Sequence, residues 1–353
     1  MDYIKIKTLD DVFFIDNFKN EIYALLLKED NLDTKLLVKM DTDYSINSEI
    51  ISKSVKSSVC FPANNYVYSN LLRGGGQLFD SNLNEIRQEN YLIQTYNENK
   101  NYAACSVIIN NLKVFGLLDS LNFNILWTKD FRIRYVAFDE DFIYAERYDY
   151  KVGSTIYCFK ISDGEQKWES NLIDDRGLRI HITRIVGVTH KLLVASTTSG
   201  ELILIEKYSG KIVAKKSVPV PEHSILSAVE NVVWGLNKKG FWQYNLNNEE
   251  YVFIDLREEY LQHQIEVVVA NIIGNTGHIL FFCSNFIIEA GNGMEFLCKI
   301  GAFDIKKEKI IWTYKFDLEP RTRLQSPAPH IIEDKLFVLD SKNRLHIFQE
   351  VKS

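Results

Sequence analysis

The sequence predicts an all-β protein, a single β-propeller over residues 1–353 with eight four-stranded blades, seven being the alternative count. Three observations carry this. A strand–polar turn–strand unit recurs along the chain, with turn centres near residues 45, 83, 122, 163, 209, 247 and 306. Between successive units lie two further runs rich in Val, Ile, Tyr and Phe, such as RYVAFDE then DFIYAERY, which alternate as strands do. No segment sustains a 3.6-residue apolar period over three turns.

Taken in order, the hairpins read GQLFDSNLNEIRQ (76–88), KVFGLLDSLNFNILWTK (113–129), TIYCFKISDGEQKWES (155–170), ELILIEKYSGKIVAKKS (201–217), FWQYNLNNEEYVFID (241–255) and FLCKIGAFDIKKEKIIWTYKF (296–316). An earlier copy begins KLLVKM and is the least regular. Four strands in a period of about 40 residues is the pattern of a propeller blade, whereas a pair of irregular sandwiches is the alternative. The last run, HIIEDKLFVLDSKNRLHIFQE (330–350), supplies three strands, and YIKIKTL (3–9) supplies one. Pairing this N-terminal strand with the end of the chain completes the C-terminal blade and closes the ring without exposed edges.

Composition narrows the function classes. Against 41 basic residues stand 47 acidic ones, a formal charge of −6, which argues against a nucleic-acid partner. With 46% hydrophobic and 25% charged residues the chain has the makings of a packed core. Its five cysteines are odd in number and dispersed in apolar runs, as expected of buried reduced thiols. The first residues lack a secretory leader, and no apolar run is long enough to span a bilayer. A cytoplasmic protein with no membrane partner is the expectation.

The hairpins resemble the blade repeat of the pyrroloquinoline-quinone-dehydrogenase-like propellers, in which an Ala, an Asp two residues on, a Thr-Gly-Lys turn and a closing Trp recur. Ala302, Asp304, Lys309 and Trp312 match, with Glu308 at the Gly position. Asp119 and Trp127 match in one copy, and Gly164 and Trp168 in the next, where Lys160 replaces the Asp. Ser209, Gly210 and Lys211 match in another that has Ala214 for the Trp, Asp80 matches alone, and a further copy has Asn245 and Phe253. The resemblance covers most of the chain with degenerate repeats. It implies the fold, with Trp127, Trp168 and Trp312 as blade-packing residues. It also implies quinone-dependent dehydrogenase activity in family members that are exported and carry active-site insertions and, in the alcohol-oxidising ones, an adjacent cysteine pair. These features are missing here, and no cofactor is expected.

Other chemistry is weakly signalled. The seven histidines never stand as H-x-H or H-x-x-x-H, so no metal site is expected. Nucleophile elbows and phosphate-binding glycine loops are absent, and Gly74–Gly76 reads as a wide turn between two strands. The acidic pairs Asp174–Asp175 and Glu258–Glu259 leave a carbohydrate-active enzyme as an alternative.

The loops that join one blade to the next share a face with those between second and third strands, and propeller function usually lives on such loops. They contribute Arg132, Arg134, Tyr148, Tyr150, Asp174, Asp175, Arg176, Arg179, Arg257, Glu258, Arg321 and Arg323. Arginine and tyrosine are favoured at interface hot spots, which makes these the expected partner-binding residues. The expected role is a non-catalytic protein-binding module. One version is a bacterial immunity protein that sequesters a toxin; another is an assembly scaffold.

Overall fold

The computed structural model describes residues 2–19, 21–27, 35–40, 52–55, 57–71, 74–149, 153–174, 176–218, 224–272, 278–290, 293–319, 321–324, 330–332 and 334–351. The fold is an eight-bladed β-propeller, each blade a four-stranded antiparallel sheet. The chain divides into two compact units, residues 13–218 and residues 1–12 with 219–353.

In the first unit, blade 1 is Val12–Phe18, Glu21–Leu27, Lys35–Lys39 and Ser52–Val55. Blade 2 is Ser57–Ala63, Tyr66–Leu71, Gly76–Asp80 and Glu85–Glu89. Blade 3 is Tyr91–Tyr96, Tyr102–Ile109, Leu112–Asp119 and Asn124–Lys129. Blade 4 is Tyr135–Phe138, Phe142–Asp149, Gly153–Lys160 and Gln166–Asn171. Blade 5 is Ile182–Val188, Leu192–Thr197, Glu201–Glu206 and Ile212–Ser217.

The second unit holds blade 6 (Ile225–Ser227, Val232–Asn237, Gly240–Asn245, Tyr251–Asp255) and blade 7 (Val267–Ile272, Ile279–Ala290, Gly293–Asp304, Lys309–Lys315). Blade 8 is His330–Ile332, Lys335–Leu339 and Leu345–Val351, completed by the N-terminal strand Asp2–Leu9. That strand pairs antiparallel with the last one, Tyr3 opposite Glu350 and Leu9 opposite Leu345, so the expected three-plus-one blade is realised.

Burial explains which residues form which strand. The middle strands are covered on both faces and read as nearly continuous apolar runs: Ala103 to Val107 and Val114 to Leu118 in blade 3 are all buried. The fourth strand Asn124–Lys129 alternates exposed and half-buried positions, with Ile125 and Trp127 on the more covered side. All five cysteines are buried and unbonded, and burial pushes the thiols of Cys105, Cys158 and Cys283 up to about 12. Leu71 N–H donates to the Gly75 carbonyl and Gly74 N–H to the Leu71 carbonyl between the second and third strands of blade 2, in keeping with the turn expected of the glycine run.

Four of the described turns between third and fourth strands follow one design. An Asp or Asn ending the third strand accepts backbone N–H groups of the turn: Asp80 from Asn82 and Asn84, Asp119 from Leu121, Asn245 from Asn247, Asp304 from Lys306 and Lys307. The recurring acidic residue of the repeat is therefore a turn cap. A residue with positive φ follows, Gly164 (71°) and Gly210 (73°) in blades 4 and 5, but Leu83, Phe123, Glu249 and Glu308 elsewhere. A register shift then precedes the closing residue of the motif, as between Cys158 and Phe159 opposite Trp168. This turns the tryptophan toward the neighbouring blade. Trp127 donates to the Ile161 carbonyl at 2.9 Å and Trp168 to that of Lys207 at 2.8 Å. Trp312 packs on Tyr3 of blade 8 with centroids 5.3 Å apart. Blade 2 has Arg87 at this position, and its guanidinium donates to the Asn122 and Phe123 carbonyls of the blade 3 turn.

One departure from the sequence reading concerns residues 255–264, expected as loop. They contain a short helix, α1 (Arg257–Gln262). Leu256 and Tyr260, four residues apart, are buried and joined by a backbone hydrogen bond of 2.8 Å. Fewer than two turns leave no periodicity to read.

Candidate functional site

Blade 4 is flanked by two inter-blade loops that the sequence singled out. The first enters through Arg134, whose N–H donates to the Glu146 carbonyl at 3.0 Å; its guanidinium lies 4.7 Å from the Tyr135 ring centroid. Arg132 and Arg134 are exposed. Tyr148 lies in the hairpin between, its backbone opposite Ser154. Tyr150 and Asp175 fall outside the described residues.

The second loop is a short tongue. Ile173 bridges Arg179, Asp174 N–H donates to the Leu178 carbonyl at 2.8 Å, and Ile180 N–H donates to Leu172 at 2.9 Å. Its root is tied to blade 4, since Leu172 N–H donates to the Ser154 carbonyl and Ser154 N–H to that of Ile180. Asp174 Oδ1 accepts the Arg176 and Leu178 N–H groups, and Oδ2 accepts the Arg176 guanidinium at 3.1 Å. The Leu178 N–H, with the Arg176 contacts, holds the Asp174 carboxyl below its usual range. A carboxylate so engaged is a turn cap, poorly suited to donate a proton. Arg176 and Arg179 point to solvent, as do Ile173 and Leu178, 48% and 55% exposed.

Beneath the tongue lies a residue the sequence reading missed. Glu146 is fully buried; Oε1 accepts from the Ser154 hydroxyl at 2.7 Å, and Oε2 has no hydrogen-bond partner. Ser154 Oγ in turn accepts the Ile182 N–H at 3.0 Å. Burial pushes the Glu146 carboxyl up, outweighing Ser154 and the Arg134 charge. The one available signal was a charge on the inward side of an apolar strand, FIYAERYD.

In the second unit the remaining candidates surround blade 7. Arg257 forms a side-chain ion pair with Asp255, which holds that carboxyl down to about 2, and Glu258 is exposed on α1. Arg321 adopts φ 65°, and Arg323 N–H donates to the Ser341 hydroxyl while its carbonyl accepts the Ser341 N–H, both arginine side chains exposed. The Asn285 amide secures this loop, accepting Leu324 N–H at 2.9 Å and donating to the Leu324 carbonyl at 3.1 Å. Each loop is thus fastened to its blade through backbone, leaving the arginine heads outward.

At the opposite strand ends of the first unit, Phe18, Lys19, Glu21, Asn64, Asn65 and Ser81 line an open cleft of about 550 Å³. Among the described residues no three His, Cys, Asp or Glu side chains are grouped to hold a metal ion, and no helix is long and apolar enough to cross a membrane.

No family model and no curated protein matches the chain. Solved structures do share its fold. The *Saccharomyces cerevisiae* protein Sqt1 aligns over 99% of this chain and 98% of its own, with a TM-score of 0.60 at 12% identity. The computationally designed protein Ika8 aligns over 97% and 96%, at 0.57 and 10%. BamB from *Moraxella catarrhalis* aligns over 83% and 96%, at 0.51 and 9%. These likenesses establish a β-propeller and nothing finer.

Proposed function

We propose that this chain is a non-catalytic protein-binding propeller whose contact surface is the loop face beside blade 4. The observation that carries the reading is the pairing of rigid loop backbones with exposed arginines: Arg132, Arg134, Arg176 and Arg179 stand on segments whose main chains are hydrogen-bonded into the blade. Such preorganisation lowers the ordering cost of association, and arginine supplies directional contacts over a large area. Ile173 and Leu178 add apolar area between the charges. The degenerate repeat is consistent with a relative of the quinone-dehydrogenase-like propellers that has kept their blade geometry without their chemistry. A cytoplasmic immunity protein that sequesters a toxin is the finer version we favour, with an assembly scaffold as the alternative.

The test is partner recovery from the native cell by in-cell cross-linking, comparing wild type with Arg176→Glu plus Arg179→Glu. Loss of one defined partner in the variant supports the reading; recovery equal to wild type counts against this face. If that partner is a toxin whose growth inhibition the wild type relieves and the variant does not, the immunity version holds. Turnover of a chromogenic glycoside would instead favour the enzyme alternative.

A further inference from the structure

Blade 8 contains a buried polar hub. Asp340 is fully buried and directly follows the strand Lys335–Leu339. Its Oδ1 accepts the N–H groups of Lys342 (2.8 Å) and Arg344 (3.1 Å), and its Oδ2 accepts Arg344 Nε at 2.8 Å with His346 Nε2 at 3.1 Å. If Nε2 carries the proton, His346 is neutral and its Nδ1 is free to accept from the Thr8 hydroxyl at 3.4 Å, on the N-terminal strand. The imidazole is 2% exposed and stands edge-on to Phe316, centroids 4.9 Å apart.

The same hub reaches the loop that carries Arg321 and Arg323. Arg344 Nη1 donates to Glu319 at 3.1 Å, Leu324 bridges Asp340, and Ser341 N–H donates to the Arg323 carbonyl at 2.8 Å. One cluster therefore ties together the N-terminal strand, the turn at 340–344 and the loop at 319–324.

We propose that the Asp340–His346–Arg344 hub is an acid-sensitive latch that releases the N-terminal strand and the 319–324 loop together when His346 takes up a proton. The charges around the ring favour this. Lys5, on the N-terminal strand, and Arg344 oppose a second positive charge, while Asp340 is the anion that faces the imidazole among the described residues; Glu319 and Asp10 act on Arg344. Burial holds the His346 pKa below its ordinary value, and Lys5 and Arg344 add to this against the pull of Asp340. Asp340 stays ionised throughout: burial alone would raise it, but its His346 and Arg344 donors hold it down to about 2.

The sign follows from linkage. In the closed latch His346 resists protonation, whereas a released His346 titrates near 6.5, so opening is favoured as pH falls below that value. One proton makes the opening equilibrium grow by up to about tenfold per pH unit.

The experiment is amide hydrogen exchange on the whole chain from pH 7 to pH 5, corrected for intrinsic rates, read at Thr8, Leu9, Arg323 and Leu324. His346→Gln keeps a donor for Asp340 and removes the titration; Asp340→Asn weakens the hub at every pH. The expected result is protection in wild type that falls up to about tenfold per unit at all four positions, protection in His346→Gln that stays flat, and protection in Asp340→Asn that is low throughout. Flat protection in wild type overturns the proposal, as does an equal fall in wild type and His346→Gln, or a fall at the strand without one at the loop.

Discussion

The Trp168 indole lies against Gly210 of the next blade, where an added methyl group would stand 2.5 Å from the ring, while its N–H bonds the Lys207 carbonyl of the same turn. Trp127 repeats this on Gly164 and Ile161 one blade earlier. The tryptophan and glycine of the repeat are thus two halves of one seam, on successive blades.

Gly210→Ala should lower stability by about 2 kcal/mol or more, because the φ of 73° and the Trp168 ring both reject a side chain. Trp168→Phe should cost about 1–2 kcal/mol through the lost hydrogen bond and contact area. The double variant should lose less than the sum, since both changes open one seam. Urea denaturation midpoints measure this, and strict additivity would show the two residues to be independent.

Arg87 does in blade 2 what tryptophan does in blades 3 and 4. Arg87→Ala should destabilise by about 1 kcal/mol through the lost charge-assisted bonds to the Asn122 and Phe123 carbonyls, and Arg87→Lys should rescue only part of that because it lacks the Nε–H that Arg87 gives Glu89 to hold its head in place. Thermal unfolding of the three proteins decides it; full rescue by lysine would mean that charge alone matters there.

Lys207 Nζ meets Asp139 Oδ2 at 2.9 Å, each side chain largely shielded, and the Tyr144 hydroxyl donates to the same oxygen at 3.0 Å. Lys207→Met should cost about 2 kcal/mol, a value reduced from that of a fully buried pair because both groups keep some solvent contact. Asp139→Asn should cost a similar amount, and a double-mutant cycle should return a coupling of about 1 kcal/mol or more. A coupling near zero would reduce the pair to a surface contact.

Glu146 should make stability fall with rising pH. Its folded pKa is raised, so the native state holds a proton that the unfolded chain has released above about 4.5, and this advantage fades as pH climbs through the folded value. Glu146→Gln removes the titration, and its denaturation midpoint should gain on that of wild type between pH 5 and pH 8. Parallel midpoints across that range would mean that the buried carboxyl titrates as it does in the unfolded chain.

Much of the architecture was legible because propeller blades write themselves into the chain by local rules. Turn-capping acids such as Asp80 and Asp119, and apolar middle strands, are short-range features that recur in several blades. The two chain ends announced their shared sheet through an incomplete count of strands. The rim arginines were legible as loop residues of a favoured type. What they do there was not, because Arg176 and Arg257 spend part of their charge on Asp174 and Asp255 two residues away, which only side-chain positions reveal.

By itself the sequence determined the strand repeat, its turns and the three tryptophans Trp127, Trp168 and Trp312 that pack between blades, since these follow from alternation, turn chemistry and side-chain volume within about 40 residues. Tertiary structure alone decided which polar groups lose their water. Glu146 looks like any strand carboxylate until the fold buries it against Ser154, and His346 looks like any isolated histidine until Thr8, more than three hundred residues earlier, comes to lie beside it. Burial and long-range pairing set the charge state of both, and neither is a property of neighbouring residues in the chain.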